Sequence, residues 1–463
     1  MKTLSFFLAG AALVTAAGPA EAQAPADEIA VLRAQVQQLS ARLAELETRQ
    51  SATPTPASRS NAALALPPAS QTATIAAAPA AAAQPAIADW SSGLPEFRSP
   101  DGAFTFRPRV RVTADVSSTV GSDFDARNLS GTELRGLRIG ASGKLPSGFN
   151  YWIEADLADN AVGLKNAFLG YSRRLGGRDL DLSFGQRLND RGVEGGTAED
   201  VTPFLERSYT AAALGPERGG FGMGAMARLT GQVWHASLNL TGDGVSEGQR
   251  SDSVSLMGRT HWSLFKSDDG FLHVGGWGFV EDIASGQPSI ARNLIAGGNF
   301  NDNLRLASGS YTGPKGSAGY GLELGGVRGS GWLMFEGGRR TIETFTGDFD
   351  QNVATLSGGW FLTGETPPLS TRSGSWQRPR VLRPLGPDSF GAVELVARYD
   401  KADFSDNPSG GEGETTTVGL NWYPTVNTRV SAHWSHWSLS NRTGTFIGAD
   451  SGDTATIRVQ AAF

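Results

Sequence analysis

From Phe104 to the end of the chain, apolar and polar side chains alternate in stretches of about ten residues, the length of a strand that crosses a membrane. Clusters of Gly, Asn, Asp and Ser separate these stretches. A period of two places apolar groups on one face of a β-strand and polar groups on the other. The pattern therefore predicts an all-β fold. The predicted strands span residues 104–116, 133–144, 149–157, 164–173, 179–187, 221–229, 232–241, 253–265, 271–280, 319–327, 331–341, 353–362, 390–399, 415–423, 427–438 and 454–463.

The fold class that this pattern favours is a transmembrane antiparallel β-barrel of about 16 strands, over residues 101–463. Lipid offers no partner to an unpaired backbone group, so the sheet must close, and this many strands leave room for a water-filled channel. Short connections such as 145–148, 175–178, 266–270 and 423–427 alternate with longer ones, which predicts periplasmic turns and external loops. The long connection 363–389 falls on the periplasmic side, as a special excursion or as a sign of missed strands.

The amino terminus predicts export. Lys2 precedes an apolar run from Leu4 to Ala17, and Ala20-Glu21-Ala22 forms a small-x-small cleavage site, so residues 1–22 are expected to be a signal peptide. The alternative, a membrane-spanning helix, needs about 20 uninterrupted apolar residues, and this run is shorter. With the barrel, this predicts passage through the periplasm to the cell outer membrane, with the lipid bilayer as a partner.

Residues 23–50 predict a short N-terminal coiled-coil helix that precedes the barrel. Its apolar positions follow a spacing of three and four, which gives one narrow seam between polar flanks. An ordinary amphipathic helix docked on its own domain is the alternative. Residues 51–100 are rich in Ala and Pro and are expected to form a linker. The seam residues are Ile29, Leu32, Val36, Leu39, Leu43 and Leu46.

The alternation also assigns faces to the arginines of the predicted strands. Those opposite in parity to apolar neighbours should face the lumen, because arginine in the lipid-facing band would cost about 2–4 kcal/mol at mid-depth. A path of fixed guanidinium groups would favour anions. The alternative is that these arginines pair with the inward-facing Glu154, Asp156, Glu323 and Glu394 and only solvate the wall. The candidate anion path consists of Arg107, Arg109, Arg111, Arg138, Arg187, Arg228, Arg259 and Arg458.

Two long connections are candidates for the constriction of the channel. The first, residues 188–220, carries many acidic residues, including Glu199 and Asp200, and is either folded into the channel or a surface loop. The second, near residues 282–318, carries Arg292, Arg305 and Lys315 and is a further candidate to enter the pore.

Composition removes several other function classes. The chain has no cysteine, which excludes disulfides, zinc–thiolate sites and a catalytic thiol. Its net charge of -6 and the lack of a basic stripe argue against nucleic-acid binding. The five histidines are scattered over strand-like segments without metal-ligand spacing, so we expect no metal site, no cofactor and no enzymatic activity.

Three segments of the second half carry a family resemblance. They are Gly358-Gly359-Trp360-Phe361-Leu362-Thr363-Gly364-Glu365, Phe390 to Tyr399, and Val418-Gly419-Leu420-Asn421-Trp422-Tyr423. They resemble the carboxy-terminal half of the phosphate- and polyphosphate-selective porins O and P, and 203–208 is similar to the family's third-loop region. The resemblance implies a sixteen-stranded homotrimeric barrel whose loops narrow the channel and whose lumenal arginines guide small anions such as phosphate. The net acidic third loop departs from the dense run of basic residues in phosphate-selective members.

Three alternatives to an anion-preferring porin stay open. The barrel could chiefly anchor the envelope, with little flux. It could be a cation channel. It could also be a sugar channel, which would need aromatic side chains along the lumen, whereas Trp262, Trp360, Trp422 and Trp434 have lipid-facing parity. At that position they would belong to the aromatic belts at the membrane interfaces.

Overall fold

A computed structural model describes residues 87–90, 93–158, 161–217, 220–243 and 251–463 of the chain. The expected signal peptide (1–22), the coiled-coil seam from Ile29 to Leu46 and most of the expected linker lie outside the described residues and stay predictions.

Sixteen antiparallel strands form a closed barrel. Each strand pairs with its neighbour in the chain, and the last pairs with the first, with Ile457 opposite Val116. Numbered in chain order with all other strands, the barrel strands are β3 Thr105–Val120, β4 Ser130–Lys144, β5 Phe149–Asp156, β6 Gly163–Leu175, β7 Arg178–Leu188, β8 Phe221–Thr230, β9 Trp234–Gly242, β10 Val254–Leu264, β11 Gly270–Asp282, β16 Pro314–Arg328, β17 Gly331–Thr344, β18 Asp348–Phe361, β19 Ala392–Asp403, β20 Glu412–Thr425, β21 Thr428–Asn441 and β22 Gly448–Ala462.

The short elements lie before the barrel or in its connections. Before the barrel, β1 Ile87–Asp89 pairs with β2 Glu96–Arg98, within the last part of the expected linker. In one external connection, β12 Ser289–Ile290 pairs with β15 Tyr311–Thr312, and β13 Leu294–Ile295 pairs with β14 Arg305–Leu306. A one-turn helix, α1, spans Tyr209–Ala213, and none of the described helices is long and apolar enough to cross a membrane.

The faces of the strands follow the predicted alternation. On β3, the apolar Val116 is 56% exposed on the outside, whereas Thr113 and Asp115 on the inside are 5% and 3% exposed. The apolar surface therefore faces outward, as a lipid solvent requires. Trp262, Trp360 and Trp434 lie exposed on this outer wall.

The predicted all-β barrel and its strand number are confirmed, and the structure extends most strands at the end away from the short turns. Examples are Ser130–Thr132 on β4 and Asp348–Asn352 on β18. Phe349 is the one bulky apolar residue in these two ends, so they carry no apolar alternation from which a strand could be predicted. The short turns join strand ends on the same side as both barrel termini, which assigns that side to the periplasm.

The long connection between β18 and β19 is an excursion and hides no missed strand. Outside the named strands it contains only the isolated bridges Leu369–Trp376 and Gly386–Ser389. We call residues 362–391 the periplasmic insertion. Residues 189–217 and 283–313, which we call the first and second lumenal loops, lie at the external ends of the strands.

All three segments fold into the barrel, so the main apolar clusters lie inside it. Val193 and Phe204 of the first lumenal loop are buried with Trp376 of the periplasmic insertion. Leu294 and Leu304 of the second lumenal loop pack in another cluster with Tyr209, Trp277 and Trp437. For residues 189–217, the alternative of a surface loop is therefore wrong.

Candidate functional site

Acidic side chains attach the first lumenal loop to arginines of the barrel wall. Asp200 lies 2.8 Å from Arg111, and Glu206 lies 2.8 Å from both Arg135 and Arg458. Charge-assisted hydrogen bonds of this kind are among the strongest that side chains form. Asp200 and Glu206, two of the acidic residues that make this loop net negative, are therefore paired with arginines of the wall.

The loop begins with its most deeply buried carboxylate, Asp190. This group lies 2.9 Å from Arg259 and 3.0 Å from Arg228. Burial alone would raise the pKa of Asp190, but the two arginines outweigh it and hold the pKa well below its usual value. The same balance, with Arg135 and Arg458 as the cations, lowers the pKa of Glu206. Both carboxylates therefore stay ionised at neutral pH.

The helix α1 and a preceding aromatic residue anchor the far part of the first lumenal loop. Ser208 caps the helix by accepting a hydrogen bond from the amide of Ala211 at 3.2 Å. The amide of Tyr209 donates to Asp400 at 3.0 Å, and its hydroxyl lies 2.7 Å from that of Thr415. Phe204 packs edge to face against Trp332, at 6.4 Å between ring centroids. These contacts bring the loop across the lumen to β19 and β20.

The periplasmic insertion meets the first lumenal loop inside the barrel. Its Trp376 packs against Trp332, with ring centroids 4.5 Å apart, and the amide of Trp376 donates to Thr197 at 3.0 Å. The carbonyl of Gly374 accepts a hydrogen bond from Arg259 at 2.6 Å. Gly374 has φ +57°, and a Cβ there would lie 2.6 Å from the His261 ring, so only glycine fits this approach.

Three histidines on neighbouring strands lie together at this meeting point. His235 contacts Asp190 at 2.8 Å, and His273 contacts Glu323 at 2.8 Å. The His261 ring lies between them, stacked on His273 with centroids 5.1 Å apart. His261 also lies 3.1 Å from the carbonyl of Thr371 in the periplasmic insertion. In the described part of the chain, no group of three or more His, Asp or Glu side chains is arranged to hold a metal.

One side of the lumen stays open. A cavity of about 620 Å³ runs along the wall formed by β3 to β8, bounded on the other side by the first lumenal loop and the periplasmic insertion. Eight arginines and four acidic side chains line it, together with the terminal residue Phe463. Its charged side chains are Arg107, Arg109, Arg111, Arg138, Arg187, Arg207, Arg228, Arg378, Glu154, Asp190, Glu199 and Asp200.

The eight arginines of the predicted anion path divide into two groups. In the first group each arginine forms an ion pair: Arg111 with Asp200, Arg138 with Asp156 and Glu199, Arg228 with Asp190, Arg259 with Asp190 and Glu323, and Arg458 with Asp115 and Glu206. In the second group, Arg107, Arg109 and Arg187 have no carboxylate within 4.0 Å among the described residues. Their positive charge is not neutralised by a direct partner.

Aromatic rings hold two of these unpaired arginines. The Arg109 guanidinium lies over the Trp152 ring at 4.2 Å, and that of Arg187 lies over the Phe168 ring at 4.9 Å. A cation over an aromatic face is stabilised by the ring quadrupole. The two rings are themselves neighbours, with centroids 6.3 Å apart. The open wall thus combines fixed positive charge with an aromatic surface.

The model of the family described as phosphate-selective porin O and P matches residues 106–463. The chain belongs to this family. As a member with a closed barrel of sixteen strands, this porin resides in the bacterial outer membrane. It is 28% identical over 449 residues to an uncharacterized protein of Caulobacter vibrioides. The aligned region covers 91% of this chain and 87% of that protein.

Two solved structures show lower similarity to this porin. OmpT of Vibrio cholerae is 10% identical, with a TM-score of 0.45 over 78% of this chain and 98% of that one. The anion-selective porin from Comamonas acidovorans is 13% identical, with a TM-score of 0.43 over 78% of this chain and 100% of that one.

Sequence reasoning missed part of the site. Arg378 of the periplasmic insertion lines the cavity and lies 3.3 Å from Asp200. The unusual length and arginine content of residues 363–389 were the only signals for it. The lumenal aromatic residues Trp152, Trp277, Trp332, Trp376 and Trp437 were also missed, although strand parity could have found Trp152, which shares its face with Glu154.

Proposed function

We propose that this porin is a passive, anion-preferring diffusion channel, without enzymatic activity. The observation that carries the proposal is the set of unpaired arginines, Arg107, Arg109 and Arg187, on the open wall of the lumen. A small solute that passes this wall meets cationic side chains that have no carboxylate within 4.0 Å in the described part of the chain. Fixed positive charges in a narrow passage raise the local concentration of anions.

The acidic residues of the loops do not reverse this preference. Asp190, Asp200 and Glu206 each contact an arginine within 3.0 Å, so their fields are largely cancelled at short range. Among the side chains that line the cavity, arginines exceed carboxylates by eight to four. The passage therefore has a positive balance although the whole chain has a net charge of -6.

The decisive experiment is the reversal potential of the purified porin in a planar bilayer under a potassium chloride gradient. We expect the sign of an anion-selective channel. Changing Arg107, Arg109 and Arg187 together to Gln should lower the chloride-to-potassium permeability ratio about fivefold or more, because one unit charge 4 Å away is worth about 1 kcal/mol in water.

The matched control changes three arginines outside the cavity, Arg328, Arg339 and Arg442, to Gln. This variant loses the same formal charge but should keep the wild-type ratio. A cation-selective wild type, or equal effects of the two triple variants, would overturn the proposal. A barrel that never conducts would favour the alternative role of an envelope anchor.

The family description makes phosphate a candidate among the anions. We also propose a homotrimer, the assembly that the resemblance implies. Conductance in chloride, phosphate and a neutral sugar would rank the solutes. Crosslinking of intact outer membranes would report the number of copies.

A further inference from the structure

The two unpaired arginines that sit on aromatic rings form one continuous surface. Arg109 and Trp152 come from β3 and β5, and Phe168 and Arg187 come from β6 and β7. The order across this wall is therefore guanidinium, indole, phenyl ring and guanidinium. An apolar strip with a cation at each end lines the open cavity.

The hydrogen-bonding groups on this strip are only partly used. Among the described side chains, Arg109 has one hydrogen-bond partner, the Ser142 hydroxyl at 3.5 Å, and Arg187 donates to Ser183 at 2.7 Å through one terminal nitrogen. The Nε of Arg187 and the indole N–H of Trp152 also lack an acceptor among the described residues, but both are buried, so the donors open to a solute are the terminal nitrogens of the two guanidinium groups. A guanidinium stacked on a ring keeps its N–H edges available, because stacking occupies its face. Donors for an anion thus border the aromatic surface.

We propose that this strip selects aromatic carboxylates, a refinement that rests on the proposed anion preference. A small inorganic anion gains only from the guanidinium groups. A carboxylate that carries an aromatic ring gains from the same groups and also from contact between its ring and Trp152 or Phe168. The cavity of about 620 Å³ has the size of known small-molecule sites, which measure about 300–1,000 Å³.

The rings could instead serve only to position the two arginines. In that case benzoate and acetate, which present the same carboxylate, would bind equally well. Loss of a ring would then weaken both anions by the same factor. The ratio between benzoate and acetate therefore separates an aromatic binding surface from a positioning role.

The experiment measures how sodium benzoate, sodium acetate and inorganic phosphate reduce the chloride current through the full-length porin in planar bilayers. We expect benzoate to half-block the current at a concentration about three- to tenfold lower than acetate, the advantage that one favourable aromatic contact provides. Trp152→Leu with Phe168→Leu should bring this ratio close to one, while Trp152→Phe should preserve it. The lipid-facing Trp360→Leu is the matched control and should keep the wild-type ratio.

Equal potency of benzoate and acetate on the wild type would overturn the aromatic selectivity and leave the chloride preference standing. A ratio that survives the double Leu variant would also overturn it, since the preference would then originate elsewhere. Failure of the proposed function would appear separately, as a cation-selective reversal potential in potassium chloride.

Discussion

Both sides of the lumen have arginines that pair with loop carboxylates, and the open side also has Arg109 and Arg187, which have no carboxylate within 4.0 Å among the described residues. On the side of β9 to β21, arginines such as Arg259 and Arg398 are buried among carboxylates and loop carbonyls, and the loops fill the space. On the side of β3 to β8, Arg109 and Arg187 rest on aromatic rings beside the open cavity. The comparison teaches that the partner of an arginine, rather than its inward orientation, decides whether it holds a loop or meets a solute.

The largest effect should come from removing the periplasmic insertion. Leu362 already donates to the carbonyl of Val393 at 2.8 Å, so β18 and β19 are close enough for a short turn. Replacing residues 366–388 with a short Gly-Ser turn should open the filled side and raise single-channel conductance several-fold. Unchanged conductance would mean that the insertion does not obstruct the path, and the distinction between a filled and an open side would fail.

The loss of Arg259 should have the next largest effect, because this residue joins the first lumenal loop and the periplasmic insertion to the wall. Arg259→Met removes the arginine that pairs with the buried Glu323 and one of the two arginines that contact Asp190, and breaking a buried pair typically costs about 3–5 kcal/mol. We expect a lower unfolding temperature and a noisy, larger conductance, measured by thermal unfolding in detergent and by bilayer recording.

The control for Arg259 is Arg328→Met, because the Arg328–Asp269 pair lies 3.4 Å apart with 92% and 70% of the side chains exposed. An exposed pair is worth at most about 1 kcal/mol. If the two variants were equally stable, the buried pairs would not be what holds the loops.

A pH titration should have a smaller effect. Because the pKa values of Asp190 and Glu206 are lowered in the folded state, their ion pairs contribute stability that is complete above the unfolded values of about 3.9 and 4.3. That stability is lost as the pH falls through the lowered values. Conductance should therefore stay constant from pH 7 to about 5 and change only below about 4. A midpoint between pH 5 and 7 would contradict this prediction.

The strand alternation predicted orientations because the lipid boundary imposes them on every residue of a strand. Arg111 and Arg458 face inward whatever they contact. A pattern two residues long is therefore enough to predict their orientation. Their partners were not predictable in this way. Arg458 binds Asp115, which is 343 positions earlier in the chain, and Glu206 on a loop. Such pairs depend on barrel closure and loop path, which no local pattern encodes.

The acidic residues of the first lumenal loop also could not be assigned a role from the sequence alone. Counting charges along the sequence indicated a negative loop inside a cationic channel. In the structure, Asp200 and Glu206 anchor the loop to arginines of the wall.

The histidines show the same limit of sequence analysis. They are scattered along the sequence, although His235 and His261 are direct cross-strand partners in the barrel. Strand register, once known, brings them together.

The smallest effect is expected from removing a neutralised pair on the open side. Arg111→Gln with Asp200→Asn deletes one cation and its partner carboxylate 2.8 Å away, so the net charge of the cavity is unchanged. We expect the chloride-to-potassium permeability ratio to change less than about twofold, because the fields of a close pair largely cancel in solvent. Arg109→Gln, which removes one unpaired cation, should lower the same ratio more. If the double variant lowered it as much, paired and unpaired arginines would contribute alike, and selectivity would depend on the number of arginines rather than on their partners.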